Sequence, residues 1–579
     1  MANLIQSAKE QVNEILNAAY EKAAAAGQLP AGQSLSGTVE IPKDTANGDY
    51  AANHAMTGAR ALHMAPRKIA EALIANAELA GSWFSSVEVA GPGFINFRLS
   101  DKWYDDVIRA IGKEGADYGR VDEGHGQKLM VEFVSANPTG PMHMGNARGG
   151  VLGDSLASVL DRAGYQVWRE FYVNDAGNQI EKFAASIDAR YQQLILGEDA
   201  VTFPEDGYHG DDIRELAAQF REIYGDEYLD KDVAERHAAM ARFGLDRNIP
   251  KMQSDLRRYG IEYDQWFFES ELHETGYVAD SVQKLTDRGY TYEKDGALWL
   301  ATSRILAENL RKAGKSEAEI EKLDLKDDVL RRANGFYTYF AADIAYHRNK
   351  FEKRGFDKVI NVWGADHHGH VARLKGAMDA LGLDGEHRLE IVLMQLVKLT
   401  RGGEVVRMSK RTGKAISLTD LLDEIPVDAA RYFFNSRPES PVEFDLELAV
   451  RQDSENPVYY VQYAHARICT LLSALAAEGY AVPETADMAL LSHETERELI
   501  KQLAALPEEI RLAARDLDPS RINKYVTELA ARFHRFYTAC RIKGAEEELL
   551  KARLLLADCV RRVIALSLEL IGVSAPEKM

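Results

Sequence analysis

One loop of the chain carries residue types that suit phosphate chemistry. Residues 134–154, VSANPTGPMHMGNARGGVLGD, follow a strand-like run and precede a helical apolar pattern. A helix that begins after such a loop offers unpaired backbone amides and the positive end of its dipole to an anion. His143 can donate to a phosphate oxygen, and Gly145 lets a nucleotide approach the backbone. A turn without a ligand is the alternative, and for a lone His-x-Gly it is the commoner one.

A second loop supplies positive charge. Residues 402–422, GGEVVRMSKRTGKAISLTDLL, contain Arg407, Lys410, Arg411 and Lys414 between glycines. One interpretation is a solvated charged turn. The other is a cationic clamp that neutralises a triphosphate as charge develops on leaving pyrophosphate. The better-known nucleotide motifs are missing: the Gly-Lys-Ser at 314–316 has Asn309 where a P-loop needs its first glycine, and no GxGxxG follows a strand.

Strand and helix patterns place both loops in one α/β sheet. LMVEFV, QVWREFYV, KVINVWG and RLEIVLM read as strands, and a strand, helix and strand of this length predict a parallel pair. We expect an α/β unit over residues 1–115, the parallel-sheet unit over 120–455 with inserted segments at about 175–335, and an all-α bundle over 456–579. Hairpin turns are predicted at Gly91-Pro92-Gly93 and at Asp295-Gly296.

Composition limits the classes of protein. Hydrophobic residues make up 46% and charged residues 28%, as in ordinary globular chains, and no run of eighteen apolar residues predicts a membrane span. The net charge of −20 would count against nucleic-acid binding, but a local basic patch decides contact. The N-terminus lacks the pattern of a secretory or transit leader. Cys469, Cys540 and Cys559 have no metal spacing and favour unpaired thiols, so we expect a reducing cytoplasm.

The two loops and their flanking segments carry a family resemblance. HMGN followed by RMSKR, on either side of a split nucleotide fold, resembles the two signature motifs of class I aminoacyl-tRNA synthetases. VEFVSANPTGPMHMGNARGG, YFAADIAYH, DAARYFF, NPVYYVQYAHAR, FHRFYTACR and SAPEKM are together similar to bacterial arginyl-tRNA synthetases, over nearly the whole chain. The resemblance implies a Rossmann-like catalytic domain, an N-terminal additional domain and a helical anticodon-binding domain. It also implies that arginine and ATP form arginyl-adenylate, from which arginine passes to tRNA(Arg).

The resemblance assigns the ATP site residue by residue. His143, Lys410 and Arg407 are the implied catalytic groups, with arginine at 407 in place of the family's usual lysine. Asn146 stands where the family often has a second histidine, and its amide can donate but cannot be charged. The implied ATP-binding residues are Pro138, His143, Gly145, Asn146, Met408, Ser409 and Lys410.

Arginine recognition requires carboxylates, because a guanidinium presents a planar fork of donors. Tyr339 and Asp343 are four residues apart on one helical face and match the family's side-chain recognition pair. Glu132, Ser135 and Asn137 match positions that hold the rest of the substrate. Without the resemblance, an exposed helix acid for Asp343 and an internal ion pair for Glu132 would be the favoured alternatives.

Two further expectations are the absence of an editing site and the absence of a protein-bound metal. A pocket that bonds a guanidinium rejects analogues without one, so we predict no editing site, and the insertion is expected to be structural or to hold the acceptor stem. GADHHGH, residues 364–370, lacks the spacing of a zinc site, so no protein-bound metal is expected. Magnesium is expected to arrive with ATP.

The C-terminal bundle offers a tRNA surface. Basic and aromatic residues alternate on its helices, which suits stacking on splayed bases. The candidates are Tyr460, Tyr463, Arg467, Arg532 and Arg535. The alternative for each ring is a place in the bundle core. The resemblance implies anticodon reading here, contact of the N-terminal unit with the tRNA elbow, and a monomer.

Three other functions remain to be separated from this one. A small-molecule adenylyltransferase would leave the terminal units unexplained. A synthetase for another amino acid would lack the Tyr339 and Asp343 pair. A catalytically inactive RNA-binding scaffold would not need both His143 and Lys410.

Overall fold

The computed structural model describes residues 3–406, 416–436 and 442–579. The N-terminal elements are α1 (Leu4–Ala25), β1 (Val39–Glu40), β2 (Tyr50–Ala52), α2 (His54–Leu62), α3 (Pro66–Asn76), β3 (Phe84–Ala90), β4 (Phe94–Leu99) and α4 (Asp101–Glu114). The next are β5 (Lys128–Glu132), α5 (Met144–Arg162), β6 (Gln166–Val173), α6 (Asn178–Leu196), α7 (Asp211–Tyr224), α8 (Val233–Arg258), β7 (Gln265–Phe268), α9 (Glu269–Glu274), α10 (Tyr277–Asp287), β8 (Thr291–Lys294), β9 (Ala297–Leu300), α11 (Thr302–Lys312), α12 (Glu317–Glu321) and β10 (Asp328–Arg331). Then follow α13 (Tyr339–Arg348), β11 (Lys358–Gly364), α14 (His368–Ala380), α15 (Gly385–Arg388), β12 (Leu389–Met394), β13 (Val397–Arg401), β14 (Glu404–Val405), α16 (Leu418–Glu424), α17 (Val427–Asn435), β15 (Val442–Asp445) and α18 (Leu446–Val450). The last are α19 (Pro457–Ala477), α20 (Glu494–Ala504), α21 (Leu506–Asp516), α22 (Ser520–Ala539) and α23 (Glu547–Leu570).

The N-terminal strands form a four-stranded antiparallel sheet in the order β1-β2-β4-β3. The hairpin predicted at Gly91-Pro92-Gly93 joins β3 to β4, with Ala90 opposite Phe94. Helix α1 buries one apolar stripe, which includes Ile5 and Val12, because these residues recur at helical spacing. This arrangement confirms the α/β unit expected at this end of the chain.

Five parallel strands form the central sheet, in the order β12-β11-β5-β6-β7. Strand β5 lies in the middle, and its Leu129, Met130 and Val131 are buried, as a strand covered on both faces requires. β6 lies on one side of β5 and β11 on the other, so the strand order reverses there. Ligands bind beyond the carboxyl ends of the strands at such a point.

Two groups of elements interrupt the parallel sheet. Helices α6, α7 and α8 pack around their own apolar core, which includes Phe183 and Phe220. Strands β8, β9 and β10 form an antiparallel sheet in the order β10-β9-β8. The hairpin predicted at Asp295-Gly296 joins β8 to β9, with Lys294 opposite Ala297.

A buried arginine joins the catalytic sheet to the C-terminal bundle. Arg431 of α17 is fully buried and donates to the Asp154 carboxylate of α5 and to the carbonyls of Tyr259 and Ile571. Gly572 packs on the guanidinium, since a Cβ at this position would lie 2.0 Å from an Nη atom. The end of α23 is therefore fixed against α5, the helix that follows the loop after β5.

The C-terminal helices pack as a bundle in which α22 contacts α19, α20, α21 and α23. Cys540 and Cys559 are buried, Cys469 is half-buried, and all three are free thiols. These features confirm the expected class: a Rossmann-like parallel sheet with insertions, an N-terminal α/β unit and an all-α C-terminal unit. Among the described helices, none is long and apolar enough to cross a membrane.

Candidate active site

The chain turns sharply after β5. Val134 and Ser135 have φ angles of 69° and 43°, a left-handed conformation that a β-branched valine rarely adopts. Local bonds hold this turn: the Ser135 hydroxyl donates to Glu132 Oε1 at 2.8 Å and accepts from the Tyr172 amide at 3.2 Å. Such backbone strain is typical of functional sites. The turn brings Ser135 and Asn137 to the wall of a cavity beside the strand ends.

His143 caps helix α5. Its Nδ1 accepts the Gly145 amide at 3.1 Å, while Asn146 Oδ1 accepts the His143 amide at 2.9 Å, and together these bonds form a capping box. Partial burial lowers the pKa of His143, which favours the neutral ring. Because Nδ1 accepts, the proton lies on Nε2, which can donate to an anion. Asn146 thus has a local structural role that its sequence position did not reveal.

The second loop returns to this histidine. Ser417 forms an isolated antiparallel bridge with His143, and the Leu418 amide donates to the Met142 carbonyl at 2.8 Å. Arg407, Met408, Ser409 and Lys410 lie outside the described residues. Ser417 and Leu418, which come several residues later, are bonded directly to His143 and Met142 of the first loop.

A cavity of about 990 Å³ lies at the carboxyl ends of the strands. Its size is in the upper range for small-molecule sites. The predicted residues in its wall are Glu132, Ser135, Asn137, His143, Gly145, Asn146, Tyr339 and Asp343. Pro138 is not among the residues of the wall, and its carbonyl accepts from Asn248 Nδ2 at 2.9 Å.

Asp343 and Tyr339 lie one turn apart on α13 and share this wall. Asp343 is buried, and burial raises the pKa of its carboxyl, while a bond of 2.9 Å from His370 Nε2 opposes that shift. Tyr339 is 58% exposed, and the neighbouring Asp343 carboxylate raises the pKa of its phenol. Because Asp343 is buried, the alternative drawn from the sequence, an exposed helix acid, does not apply to it.

Glu132 has both an internal partner and a place in the cavity wall. Its Oε2 accepts from Lys350 Nζ at 2.5 Å, and this lysine is fully buried. Lys350 also donates to Asn361 Oδ1 at 3.2 Å. Burial lowers the pKa of Lys350, although Glu132 opposes that effect. The ion pair named as an alternative for Glu132 is therefore present, and it holds a carboxylate at the cavity.

Sequence reasoning missed several groups near the cavity. Glu269 follows β7, is buried, and accepts from the Tyr172 hydroxyl at 2.7 Å. Its position after a parallel strand is a signal that could have drawn attention to it. Tyr208 and Asp212, from the first inserted group, line the cavity mouth. In the described part of the chain, no three His, Cys, Asp or Glu residues are arranged to hold a metal ion.

The residues predicted to bind tRNA divide into two groups. The rings of Tyr460 and Tyr463 lie 4.9 and 6.2 Å from that of His534, and the Arg467 guanidinium lies 4.1 Å from the Tyr537 ring centre. Tyr463 is 41% exposed. Arg532 and Arg535 instead pair with acidic groups: Arg532 bonds Glu498 and Glu528 at 2.7 Å, and Arg535 bonds Glu528 at 2.9 Å.

Comparison with known proteins identifies the family. Residues 108–443, more than half of the chain, match the model of the class I (R) tRNA synthetase catalytic domain. The chain belongs to the arginyl-tRNA synthetase family. Residues 6–99 of this family member match the arginyl tRNA synthetase N terminal domain, and residues 461–579 match the DALR anticodon binding domain.

Full-length relatives support the same family. The arginine–tRNA ligases of Caldanaerobacter subterraneus subsp. tengcongensis and Acetivibrio thermocellus are 54% and 51% identical to this synthetase-family chain, each with 100% of both chains covered. The arginyl-tRNA synthetase structure of Thermus thermophilus has the same fold, with a TM-score of 0.72 and 21% identity over 99% of this chain and 100% of that one.

Proposed function

We propose that this protein is an arginine–tRNA ligase that activates arginine with ATP and transfers it to the 3′ end of tRNA(Arg). One observation carries the proposal: a single cavity holds a buried carboxylate, Asp343, and the N-terminus of α5 with His143 as its cap. The first suits a guanidinium and the second suits a phosphate chain. Arginine and ATP can therefore meet in one cavity.

Arginine is held at both ends in this proposal. The guanidinium bonds Asp343, with the Tyr339 hydroxyl beside it. Glu132, Ser135 and Asn137 hold the ammonium and backbone groups, as their places in the cavity wall support. Because Lys350 already neutralises Glu132, the site presents its charge mainly through Asp343.

ATP lies over the N-terminus of α5. A carboxylate oxygen of arginine attacks the α-phosphorus, and the bond to the leaving pyrophosphate breaks. His143 Nε2 donates to the phosphates in this step, Gly145 and Asn146 lie alongside, and Pro138 shapes the start of the loop. Arg407, Met408, Ser409 and Lys410 complete the site, with the two cations on the phosphates. We expect Mg²⁺ to enter with ATP and to be held mainly by its phosphates.

The C-terminal unit reads tRNA in this proposal. Tyr460, Tyr463 and Arg467 contact the tRNA through their rings and charge, and Arg532 and Arg535 of α22 also contribute to binding. Residues 1–115 contact the tRNA, residues 120–455 catalyse, with inserted segments at about 175–335, and residues 456–579 bind the anticodon. We further propose a monomer in the cytoplasm, without editing.

The test is charging of tRNA by the purified protein. We expect labelled arginine to be attached to tRNA and citrulline, which has the same shape without the charge, to compete poorly. Asp343→Asn keeps the side-chain shape but removes its charge, and we expect the KM for arginine to rise by about 30-fold or more while the KM for ATP stays within a few-fold. Equal losses for arginine and ATP would show that the arginine pocket lies elsewhere.

A further inference from the structure

His370, in the first turn of α14, contacts the carboxylate assigned above to the guanidinium. Its Nε2 lies 2.9 Å from Asp343 Oδ2, and the two side chains are 13% and 9% exposed. The residues are 27 positions apart in the chain and come from different helices. The bond therefore depends on how α14 packs on α13.

Arg373 fixes which nitrogen of His370 carries the proton. Its Nη2 lies 3.0 Å from His370 Nδ1, and because a guanidinium can only donate, Nδ1 must accept. The proton of the neutral ring then lies on Nε2 and is donated to Asp343. Arg373 is itself held by an ion pair to Asp328 of β10, and Asp328 accepts from the Thr302 hydroxyl at 2.8 Å.

The ring of His370 is also held by packing. Phe340 meets it edge-on at 5.2 Å between ring centres, and Trp363 lies 5.6 Å away at an angle of 36°. A ring with fixed faces and both nitrogens bonded has one orientation. Such a partner holds the Asp343 carboxylate in the orientation that accepts this bond.

Two other carboxylates near Asp343 disfavour its ionised form. Among the described residues, the titratable side chains that act on it or contact its backbone are Tyr172, Tyr339, His347, His370, Glu132 and Glu269, with Lys350 bonded to Glu132. Burial, Glu132 and Glu269 raise the pKa of Asp343, whereas the bond from His370 lowers it. His370 thus favours the ionised acid in a cluster where the other carboxylates disfavour it.

We propose that His370 is a positioning residue for arginine specificity, which presents the Asp343 carboxylate to the guanidinium through a bond fixed by Arg373 and Asp328. The inference rests on the proposed function, because it takes Asp343 as the partner of the guanidinium. A carboxylate can accept about four hydrogen bonds, so the bond from His370 leaves room for the two donors of a guanidinium fork. The antiparallel sheet of β8, β9 and β10 then supports the arginine pocket, because Asp328 of β10 holds Arg373.

Three full-length variants test this role. His370→Leu removes the donor, His370→Gln keeps a donor at a similar reach, and His387→Leu is a control at an exposed histidine of α15 whose side chain is 80% exposed. Initial rates of tRNA charging are measured against arginine and against ATP, from pH 5 to 9, with thermal unfolding of each variant.

We expect His370→Leu to raise the KM for arginine by about tenfold or more, since a bond to a charged group is lost, and to leave the KM for ATP within about twofold. The acid limb of kcat/KM for arginine should move to higher pH, because an acid that loses a donor to its charged form has a higher pKa. His370→Gln should recover most of both effects, and His387→Leu should match the wild type.

Other outcomes would overturn the role of His370. These are an unmoved acid limb, equal losses for arginine and ATP, or a His370→Gln variant no better than His370→Leu. If His370→Leu is unfolded, His370→Ala takes its place with the same expected results: a rise in the KM for arginine that His370→Gln recovers supports the role, and wild-type arginine kinetics in His370→Ala contradict it. A wild-type protein that does not charge tRNA with arginine would instead refute the proposed function.

Discussion

His143 and Ser417 face each other in an isolated antiparallel bridge at the N-terminus of α5. One residue begins the helix that follows the central strand, and the other follows the basic loop predicted at 407–414. The bridge places Ser417, which follows the second signature segment by a few residues, against the cap of the helix. His143 and Ser417 are therefore neighbours in space, although about 270 residues separate them in the chain.

Replacement of His143 by two residues separates its structural and catalytic roles. His143→Ala removes the cap and should lower the free energy of unfolding by about 1 kcal/mol, whereas His143→Asn keeps a good cap and should not. Both should lower the rate of arginine activation by about 10²-fold or more, because both remove the imidazole donor. Thermal unfolding and pyrophosphate exchange measure the two effects. Full activity in His143→Asn would mean that the imidazole only caps the helix.

Removal of Lys350 should destabilise the protein. Lys350→Met leaves the Glu132 carboxylate buried without its partner, and we expect a loss of about 3–5 kcal/mol in the free energy of unfolding. The double variant Glu132→Gln, Lys350→Met should recover much of that stability but not the activity, because Glu132 faces the substrate. Lys353→Met, at an exposed position nearby, is the control and should change stability by less than about 0.5 kcal/mol. Denaturant unfolding measures these free energies. Equal losses in Lys350→Met and Lys353→Met would contradict a stabilising role of the buried ion pair.

A single methyl group tests the contact between the C-terminal bundle and the catalytic sheet. Gly572 has a φ of 63° and packs on Arg431, whereas Gly225 has a φ of 57° and open space around its Cα. Gly225→Ala should lower the free energy of unfolding by about 1–2 kcal/mol from backbone strain alone. Gly572→Ala should lower it clearly more, since the methyl group also displaces the guanidinium. Similar losses in the two variants would show that Arg431 does not depend on this contact.

The tRNA-binding candidates should differ in importance. Tyr463→Ala removes an exposed ring and should weaken tRNA binding by about 1–3 kcal/mol with little change in stability. Arg467→Ala should weaken binding more than Arg532→Ala, because Arg532 already bonds two glutamates. Titration of tRNA at several salt concentrations measures the affinity of each variant and its salt dependence. Arg467→Ala should reduce the slope of log affinity against log salt by about the value of one phosphate contact. A larger effect of Arg532→Ala would mean that its ion pairs open on binding.

The sequence supported the parts of the site that depend on local pattern. The strand and helix around residues 134–154 follow from a buried apolar run and helical spacing, whereas the cap formed by His143 and Asn146 was not predicted. Tyr339 and Asp343 share a wall because a spacing of four places side chains on one face of a helix. Family resemblance was still needed to choose between an exposed acid and a recognition residue.

The remaining contacts could not be predicted because they depend on packing between distant elements. Lys350 is a residue type that is rarely buried, so sequence alone favours a surface position. His370 lies in the GADHHGH stretch, whose spacing argued against a metal site and predicted no role for this residue, and only the packing of α14 on α13 shows its bond to Asp343. The approach of Tyr208 to the cavity depends on how the first inserted group folds back.

Amino-acid-dependent pyrophosphate exchange tests the central claim most directly. Purified protein is incubated with ATP, labelled pyrophosphate and each of the twenty amino acids in turn, with and without tRNA(Arg). The account predicts exchange with arginine alone, and only when tRNA is present. Exchange with another amino acid, or none with any, would contradict it.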